Sequence, residues 1–392
     1  MIQIPSAYFK PAPKIMTPGP TQIRENVRQA MGLVCTNPDL DPAFYDFYKE
    51  TCEKLGRIWS ASGQVYLLSG EGILGLEAAC ASLTEPGDRV LVLDNGVFGK
   101  GFADFVKIYG GQPTLYTTDY REAIDPAALR SFLEKDHQFK YATVVHCDTP
   151  SGMLNPIEEL CPLLKEYGIL TVVDSVSAMF GNAVNVDESK IDILCGGSQK
   201  ALSAAVGLTM LAVSDEAMAA MEARKTPIAS FYANILTFKD YDKNQWFPYT
   251  PPINDLVGLA VAVDNVLADP DILGRHRRIA AACREALGQS GLSLYQRSGF
   301  SNTVTVFTVP EGVTAKEILD AMLRDYGIMI AGSFDCLAGQ VIRIGHMGEN
   351  ANVKDMTETM TALGEALAKL GLPQAAGLGE AFTRSLAAAE RS

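Results

Sequence analysis

Histidine and basic residues are scarce in this 392-residue chain. Only four histidines occur, in no HExxH or HxH arrangement, so a zinc site built on histidine spacing is not expected. Lys and Arg total 33 against 46 Asp and Glu, a formal net charge of −13, which removes any global electrostatic reason to bind nucleic acid or an anionic membrane. The one basic cluster, Arg275-His276-Arg277-Arg278, heads a helical pattern and reads as a solvated face. No run approaches the roughly 20 apolar residues that span a bilayer. The most apolar segment, 256–268, is interrupted by Asp264. The first residues, MIQIPSAYFKPAPK, have no apolar signal core. The eight cysteines, at 35, 52, 80, 147, 161, 195, 283 and 336, form no CxxC pair and read as reduced thiols of a cytoplasmic protein.

What the chain has is ample core material. Hydrophobic residues make up 47% and charged residues 20%, and the length suggests two or three domains at roughly 150 residues each. From residue 64 onward, short β-rich runs alternate with longer helical ones. Strands are expected at 65–68, 89–93, 112–116, 142–146, 169–173, 191–195 and 208–213, with helices at 73–83, 99–109, 126–134 and 156–167 between them. Seven nearly all-apolar strands in this alternation predict an α/β fold with a mostly parallel sheet covered on both faces. Ligands in such folds bind beyond the carboxyl ends of the strands.

The alternation stops at 231–252, where seven aromatics (Phe231, Tyr232, Phe238, Tyr241, Trp246, Phe247, Tyr249) precede Pro251-Pro252. Such a loop suits an interface or an active-site wall, or else folds back onto its own domain. A helical pattern then runs from 254 to 291 with a break at Asp269-Pro270. A smaller α+β unit follows, with strands at 303–309, 328–331 and 341–344 and helices at 315–326 and 353–370. The Ala/Gly-rich tail from Pro373 is expected to fray or pack loosely.

Three features carry chemistry. Gly70-Glu71-Gly72-Ile73-Leu74-Gly75 fits G-x-G-x-x-G between a strand and a helix, where free backbone N–H groups can hold an anion. Asp94 ends the next strand 19 residues after Gly75, as the ribose-binding acid of a nicotinamide site would. The motif alone therefore leaves open a dinucleotide site, a phosphate cup for another cofactor, or a plain tight turn. Asp174 stands at the end of a buried strand, a costly place for an acid without a partner. Lys200 follows Gly196-Gly197-Ser198-Gln199 with little charge nearby, so desolvation would lower its pKa and free its amine for Schiff-base chemistry. Anion cradle, strand-tip acid and desolvated lysine together match the needs of pyridoxal phosphate, whereas a nicotinamide cofactor has no use for the lysine.

The chain resembles the class V, fold-type I aminotransferases of the alanine–glyoxylate and serine–glyoxylate group, and within that group the pyridoxamine–pyruvate enzymes. The carrying segments are TPGPT (17–21), GEGILGLEAA (70–79), NGVFGKGF (95–102), HCDTPSGMLNPI (146–157), VVDSVSA (172–178), GGSQKALSAAVGLTM (196–210), FPYTPP (247–252) and RIGHMG (343–348). The resemblance implies an N-terminal segment, 1–20, packing on a small domain and the active site. It also implies a large cofactor domain, 21–275, and a small C-terminal domain, 276–392. The implied activity moves an amino group from a small amine or amino acid to pyruvate or glyoxylate. Lys200 would form the Schiff base and shuttle the proton, and Asp174 would pair with the pyridinium nitrogen. Phe98 and Val176 would flank the ring, and Thr149 would donate to its phenolic oxygen. Glu71, Gly72, Ile73 and Gln199 would surround the phosphate. Thr250 from a neighbouring subunit would complete that cup, which implies a homodimer or a pair of dimers. Arg343, with Gly19 and Glu71, would bind substrate, the arginine gripping its carboxylate.

Two positions depart from relatives. Phe247 stands where alanine–glyoxylate enzymes have a phosphate-binding tyrosine, and Phe334 stands where pyridoxamine–pyruvate enzymes carry a second arginine. Glu71, shared with the latter, would repel a phosphate dianion, so the pyridine is either bound cofactor, pyridoxal phosphate, or substrate, as free pyridoxal or pyridoxamine. Other readings are a cysteine desulfurase or lyase using Cys336, and an NAD-dependent dehydrogenase using Gly70, Gly72, Gly75 and Asp94.

Overall fold

The computed structural model describes residues 12–389. The expectations for the leading segment therefore lie outside the described residues up to position 11. The chain begins with β1 (Lys14–Ile15), α1 (Glu25–Met31) and α2 (Pro42–Trp59). Alternation follows: β2 (Gln64–Ser69), α3 (Gly72–Leu83), β3 (Arg89–Asp94), α4 (Val97–Ile108), β4 (Gln112–Thr117) and α5 (Pro126–Leu133). Next come β5 (Tyr141–Val145), a small hairpin of β6 (Cys147–Asp148) and β7 (Met153–Leu154), α6 (Ile157–Glu166) and β8 (Leu170–Asp174). The large unit finishes with β9 (Ile193–Gly197), β10 (Leu208–Val213), α7 (Asp215–Glu222), a turn of helix α8 (Tyr241–Asn244) and α9 (Ile253–Leu267).

These strands form one seven-stranded sheet in the order β2-β10-β9-β8-β5-β3-β4, and β10 alone runs antiparallel to its neighbours. Strands β5, β8, β9 and β10 are buried at every residue, because helices cover both faces of the sheet. The carboxyl ends of β2, β3, β5, β8 and β9 fall on one edge. The register Val145↔Asp174 and Asp174↔Cys195 sets Asp174 at the centre of that edge.

Strand β9 is shifted two residues from its expected span, 191–195, and includes both glycines. Asp192 cannot lie in the ladder as an apolar residue would, because its carboxylate accepts from the Thr171 amide at 2.8 Å and pairs with Lys165 at 3.0 Å. Gly196 and Gly197 continue the strand instead, opposite Met210 and Thr209. A side chain at Gly197 would press on Gln199, Val176 and Gly72.

The smaller unit comprises α10 (Ile272–Gln289), β11 (Val304–Thr308), α11 (Ala315–Tyr326), β12 (Ile328–Met329), β13 (Val341–Gly345), α12 (Val353–Lys369) and α13 (Leu378–Ala389). Alternation along β11 explains how it joins the rest: Val306 packs with the large core, and Phe307 with a second core built by α10, α11, α12 and α13. Met16 belongs to that second core. Strand β1 pairs in parallel with β12, and Gly345 donates to the Met16 carbonyl at 2.8 Å. A few residues on, Thr21 donates through its amide to the Gln199 carbonyl at 3.0 Å and through its hydroxyl to that of Lys200 at 2.9 Å.

Two expectations are overturned here. The Ala/Gly-rich tail is ordered as α13, whose Leu378, Phe382 and Leu386 are buried at spacing four, one stripe of a packed helix that composition conceals. The basic cluster is only partly a solvated face. His276 is fully buried, bonding the Ile272 carbonyl at 2.6 Å and accepting from the Gly348 amide at 2.9 Å, and Arg275 pairs with Asp269. The aromatic loop divides: Phe247 stacks on Tyr45 at 5.1 Å beside Tyr241 and Tyr48, whereas Phe231, Tyr232 and Trp246 stay exposed.

Candidate active site

At the centre of the carboxyl edge lies a cavity of about 160 Å³ lined by Glu71, Gly72, Ile73, Leu76, Phe98, Thr149, Asp174, Val176, Ser177, Gln199 and Lys200. Among the described residues, the larger grooves beside α2, α7 and α6 do not combine a buried lysine with a strand-tip acid. The topology explains the convergence, since the lining residues follow the tips of five strands: Glu71 to Leu76 after β2, Phe98 after β3, Thr149 after β5, Val176 and Ser177 after β8, and Gln199 and Lys200 after β9.

Lys200 sits in the β9–β10 connection and donates to the Pro18 carbonyl at 2.8 Å. Gly19 is pressed against it: a Cβ there, already strained at φ +96°, would lie 2.4–2.7 Å from the lysine's terminal atoms. Burial brings the Lys200 ammonium down to about 8, with Arg343 acting the same way and Cys147, Asp174 and Glu71 opposing. The amine is therefore mostly neutral above pH 8. Uptake of pyridoxal phosphate is expected to accelerate between about pH 6 and 9 with its midpoint near 8, not at the ordinary lysine value. Stopped-flow absorbance across that range checks it, and a rate still climbing steeply at pH 10 would contradict the burial argument.

Asp174 is 4% exposed and accepts from the Val176 amide at 2.9 Å. Burial raises it to about 7, against the lowering effects of that amide and of Lys200. An acid so placed is poised to be ionised by a cationic partner. The strand tip is braced from behind, since the His146 amide donates to the Asp174 carbonyl at 2.8 Å and the His146 ring bonds Ser175 at 3.0 Å.

Asp148 fixes the opposite wall. It accepts from the Phe98 amide at 2.8 Å and the Ser151 hydroxyl at 2.6 Å, and Gly96 leaves room for it. Thr149 and Ser177 share a short hydroxyl–hydroxyl bond. Arg343, on β13, donates to the Gly332 carbonyl at 2.5 Å and more weakly to that of Thr149 at 3.5 Å, so its hydrogen bonds go to carbonyls and not to a carboxylate. Desolvation holds its pKa down at about 10, which marks a cation short of a counter-charge.

The mouth of α3 differs from a bare anion cup. Glu71 caps the helix, one carboxylate oxygen accepting from the Ile73 amide at 3.1 Å and the other from the Gln199 side chain at 3.0 Å. Two of the donors expected for a phosphate, the Ile73 amide and the Gln199 side chain, are thus engaged by Glu71. Gln199 Oε1 is buried without a partner, and Gly72 packs so closely on Val176 that a Cβ would come within 2.8 Å. An orphaned polar atom, apolar walls, a neutral-prone amine and a strand-tip acid around one cavity fit a pyridine aldehyde.

Thr250 is not brought to this cavity within the chain; it is exposed and donates to Asp39 at 2.9 Å. The dehydrogenase reading fails at Asp94, which is 2% exposed and turned inward onto the Tyr120 hydroxyl at 2.6 Å and the Thr117 hydroxyl at 2.9 Å, away from any surface a ribose could reach. The desulfurase reading finds Cys336 exposed on a short 3₁₀ turn, its thiol raised by burial and Asp335, contrary to what a sulfur nucleophile needs. Leu76, Ser177, the Pro18 carbonyl and Asp148 were missed from sequence. The first two follow assigned residues at helical or adjacent spacing, a usable signal, but a backbone acceptor and a residue acting behind Phe98 leave none.

The aminotransferase class-V family model matches residues 20–352. The chain belongs to that family. It is accordingly an aminotransferase dependent on pyridoxal phosphate. It is 36% identical to the pyridoxamine–pyruvate transaminase of Mesorhizobium japonicum over 373 residues, 93% of this chain and 94% of that one. The crystal structure of pyridoxamine–pyruvate aminotransferase from Mesorhizobium loti superposes with a TM-score of 0.90 at 33% identity, covering 98% of this chain and 99% of that chain. Ureidoglycine–glyoxylate aminotransferase from Bacillus subtilis gives 0.91 at 28% identity, with 96% and 99% covered. No helix among the described residues is long and apolar enough to cross a membrane, and none of their acid, histidine and cysteine clusters suits a metal ion.

Proposed function

We propose that this aminotransferase moves the amino group of a small amine or amino acid to a short 2-oxo acid, pyruvate or glyoxylate, in the cavity at the carboxyl edge of the sheet. The observation that carries this reading is the buried, low-pKa amine of Lys200 sharing one cavity with the strand-tip carboxyl of Asp174. When bound, the pyridine aldehyde supplies a carbonyl that condenses with amines and a ring that draws electrons from the substrate's Cα. Lys200 would hold the aldehyde and, as a free amine, take the proton from the substrate's Cα as a general base. Asp174 would keep the ring nitrogen protonated. Phe98 and Val176 would exclude water from the ring faces, Thr149 would donate to the ring oxygen, Gly72, Ile73 and Gln199 would border the phosphate end, and Arg343 would orient the substrate carboxylate, with Gly19 packed beside Lys200.

Mixing the yellow holoprotein with single amines tests this: alanine, serine or pyridoxamine should bleach the visible band, and pyruvate or glyoxylate should restore it. A protein that takes up no pyridoxal compound, or whose band no amine bleaches, would reject the reading.

The Glu71 cap favours a second reading, in which the pyridine is itself exchanged as substrate, as in a pyridoxamine–pyruvate reaction. A carboxylate already holding the Ile73 and Gln199 donors repels a phosphate dianion and suits a free hydroxymethyl group. Replacing Glu71 by Gln is expected to raise affinity for pyridoxal phosphate relative to pyridoxal by about tenfold or more. Absorbance titrations with both compounds measure the ratio. A wild-type preference for pyridoxal supports the second reading, and a strong preference for the phosphate leaves the first.

A homodimer is part of the proposal. Phe231, Tyr232, Trp246, Leu33, Val34 and Leu40 form exposed apolar surface that a second copy would cover, allowing Thr250 to reach the neighbouring phosphate site. A cytoplasmic location accords with eight free cysteines.

A further inference from the structure

The loop before β13 gives the substrate site a wall that the functional reading leaves unused. Ala331 and Arg343 exchange backbone hydrogen bonds at 3.1 and 2.7 Å, and the Gly332 carbonyl accepts a hydrogen bond from Arg343 Nε. Ser333 donates to the Pro150 carbonyl at 3.1 Å, so the loop is pinned to both units. These anchors hold the Phe334 ring 5.6 Å from the Arg343 guanidinium carbon, and 6.0 Å from the ring of Phe98 at 75°. Phe334 thus bridges the residue proposed to flank the cofactor ring and the one proposed to bind carboxylate, and it is 44% exposed.

We propose that Phe334 determines substrate specificity by closing the side-chain end of the site with an apolar wall, selecting monocarboxylic amino donors with neutral side chains and rejecting dicarboxylic ones. This inference rests on the amino-transfer reading above. The charge distribution supports it. The buried cations that reach this site are Lys200, whose task requires the neutral amine, and Arg343, which one substrate carboxylate satisfies. Glu71 and Asp174 line the cavity and Asp148 stands behind Phe98, three acids that disfavour a further carboxylate. A second carboxylate would lose its water against the Phe334 and Phe98 rings and find no unused buried cation. A methyl or hydroxymethyl side chain meets no such cost, and the ring over the guanidinium shields the carboxylate contact from water.

Two measurements on the pyridoxal-phosphate-loaded protein test it. In the first, propionate and succinate, which cannot react, are titrated against the visible band. Wild type is expected to bind propionate at least about tenfold more tightly, and Phe334→Arg to shrink or invert that ratio. In the second, kcat/KM is compared for alanine and aspartate. Phe334→Arg should shift the ratio toward aspartate by about tenfold or more, while Phe334→Leu preserves the wild-type preference. Equal wild-type binding of the two acids, or a ratio unmoved in Phe334→Arg, overturns the proposal. Absence of turnover with every amine would instead count against amino transfer, and the binding ratio would still decide the role of Phe334.

Discussion

Lys200→Ala is expected to lower amino transfer by a factor on the order of 10⁴ and to leave a protein that holds no pyridoxal compound through borohydride reduction and gel filtration. The lysine is the only nucleophilic amine lining the cavity among the described residues, and its lowered pKa comes from burial that no neighbouring side chain reproduces. Truncation removes a side chain wedged against Gly19 and the Pro18 carbonyl, so the backbone of 17–21 loses one hydrogen bond but keeps those made by Thr21. Folding should therefore survive, and circular dichroism with thermal unfolding separates a folded, inactive variant from a collapsed one. Mass spectrometry of reduced wild-type protein should find the pyridoxyl group on the peptide that contains Lys200. Attachment elsewhere, or substantial turnover in the variant, would end the assignment.

Asp174→Asn should reduce kcat by roughly 10²–10³-fold with a smaller effect on cofactor uptake. The amide is nearly isosteric and its oxygen can still accept from the Val176 amide, so the strand tip is preserved. What disappears is the negative charge. A buried carboxyl raised to about 7 is ionised readily by a cationic ring nitrogen beside it, and a neutral amide cannot hold that proton in place. Because burying the acid without a counter-charge is unfavourable, the variant without cofactor should be at least as stable as wild type. A kcat within a factor of a few of wild type would show that Asp174 does not serve the ring nitrogen.

The alternation of apolar strands and amphipathic helices was readable along the chain because each element buries its own pattern, and all eleven of the expected spans lie within two residues of those seen from β2 to β10. Lys200 and Asp174 were readable for a related reason: a charge beside long apolar runs is anomalous locally. The Glu71 motif was legible as a turn, yet its carboxylate turning inward to cap α3 and hold Gln199 depends on a residue 128 positions away. The tail's order is hidden in its composition because glycines flank and enter the helix and weaken its intrinsic preference, whereas α13 is held by the stripe it buries against α10 and α12.

By itself, then, the sequence determined the layered α/β architecture and pointed to the side of the sheet and to the lysine and acid proposed to carry the chemistry, since these follow from periodicity and from charges that cannot be solvated where they stand. Only the tertiary structure decided that Pro18 and Gly19 meet Lys200, that Asp148 sets Phe98, and that Phe334 stands between Phe98 and Arg343. Those contacts join segments that are distant along the chain, and no local pattern encodes a partner that arrives from another strand tip.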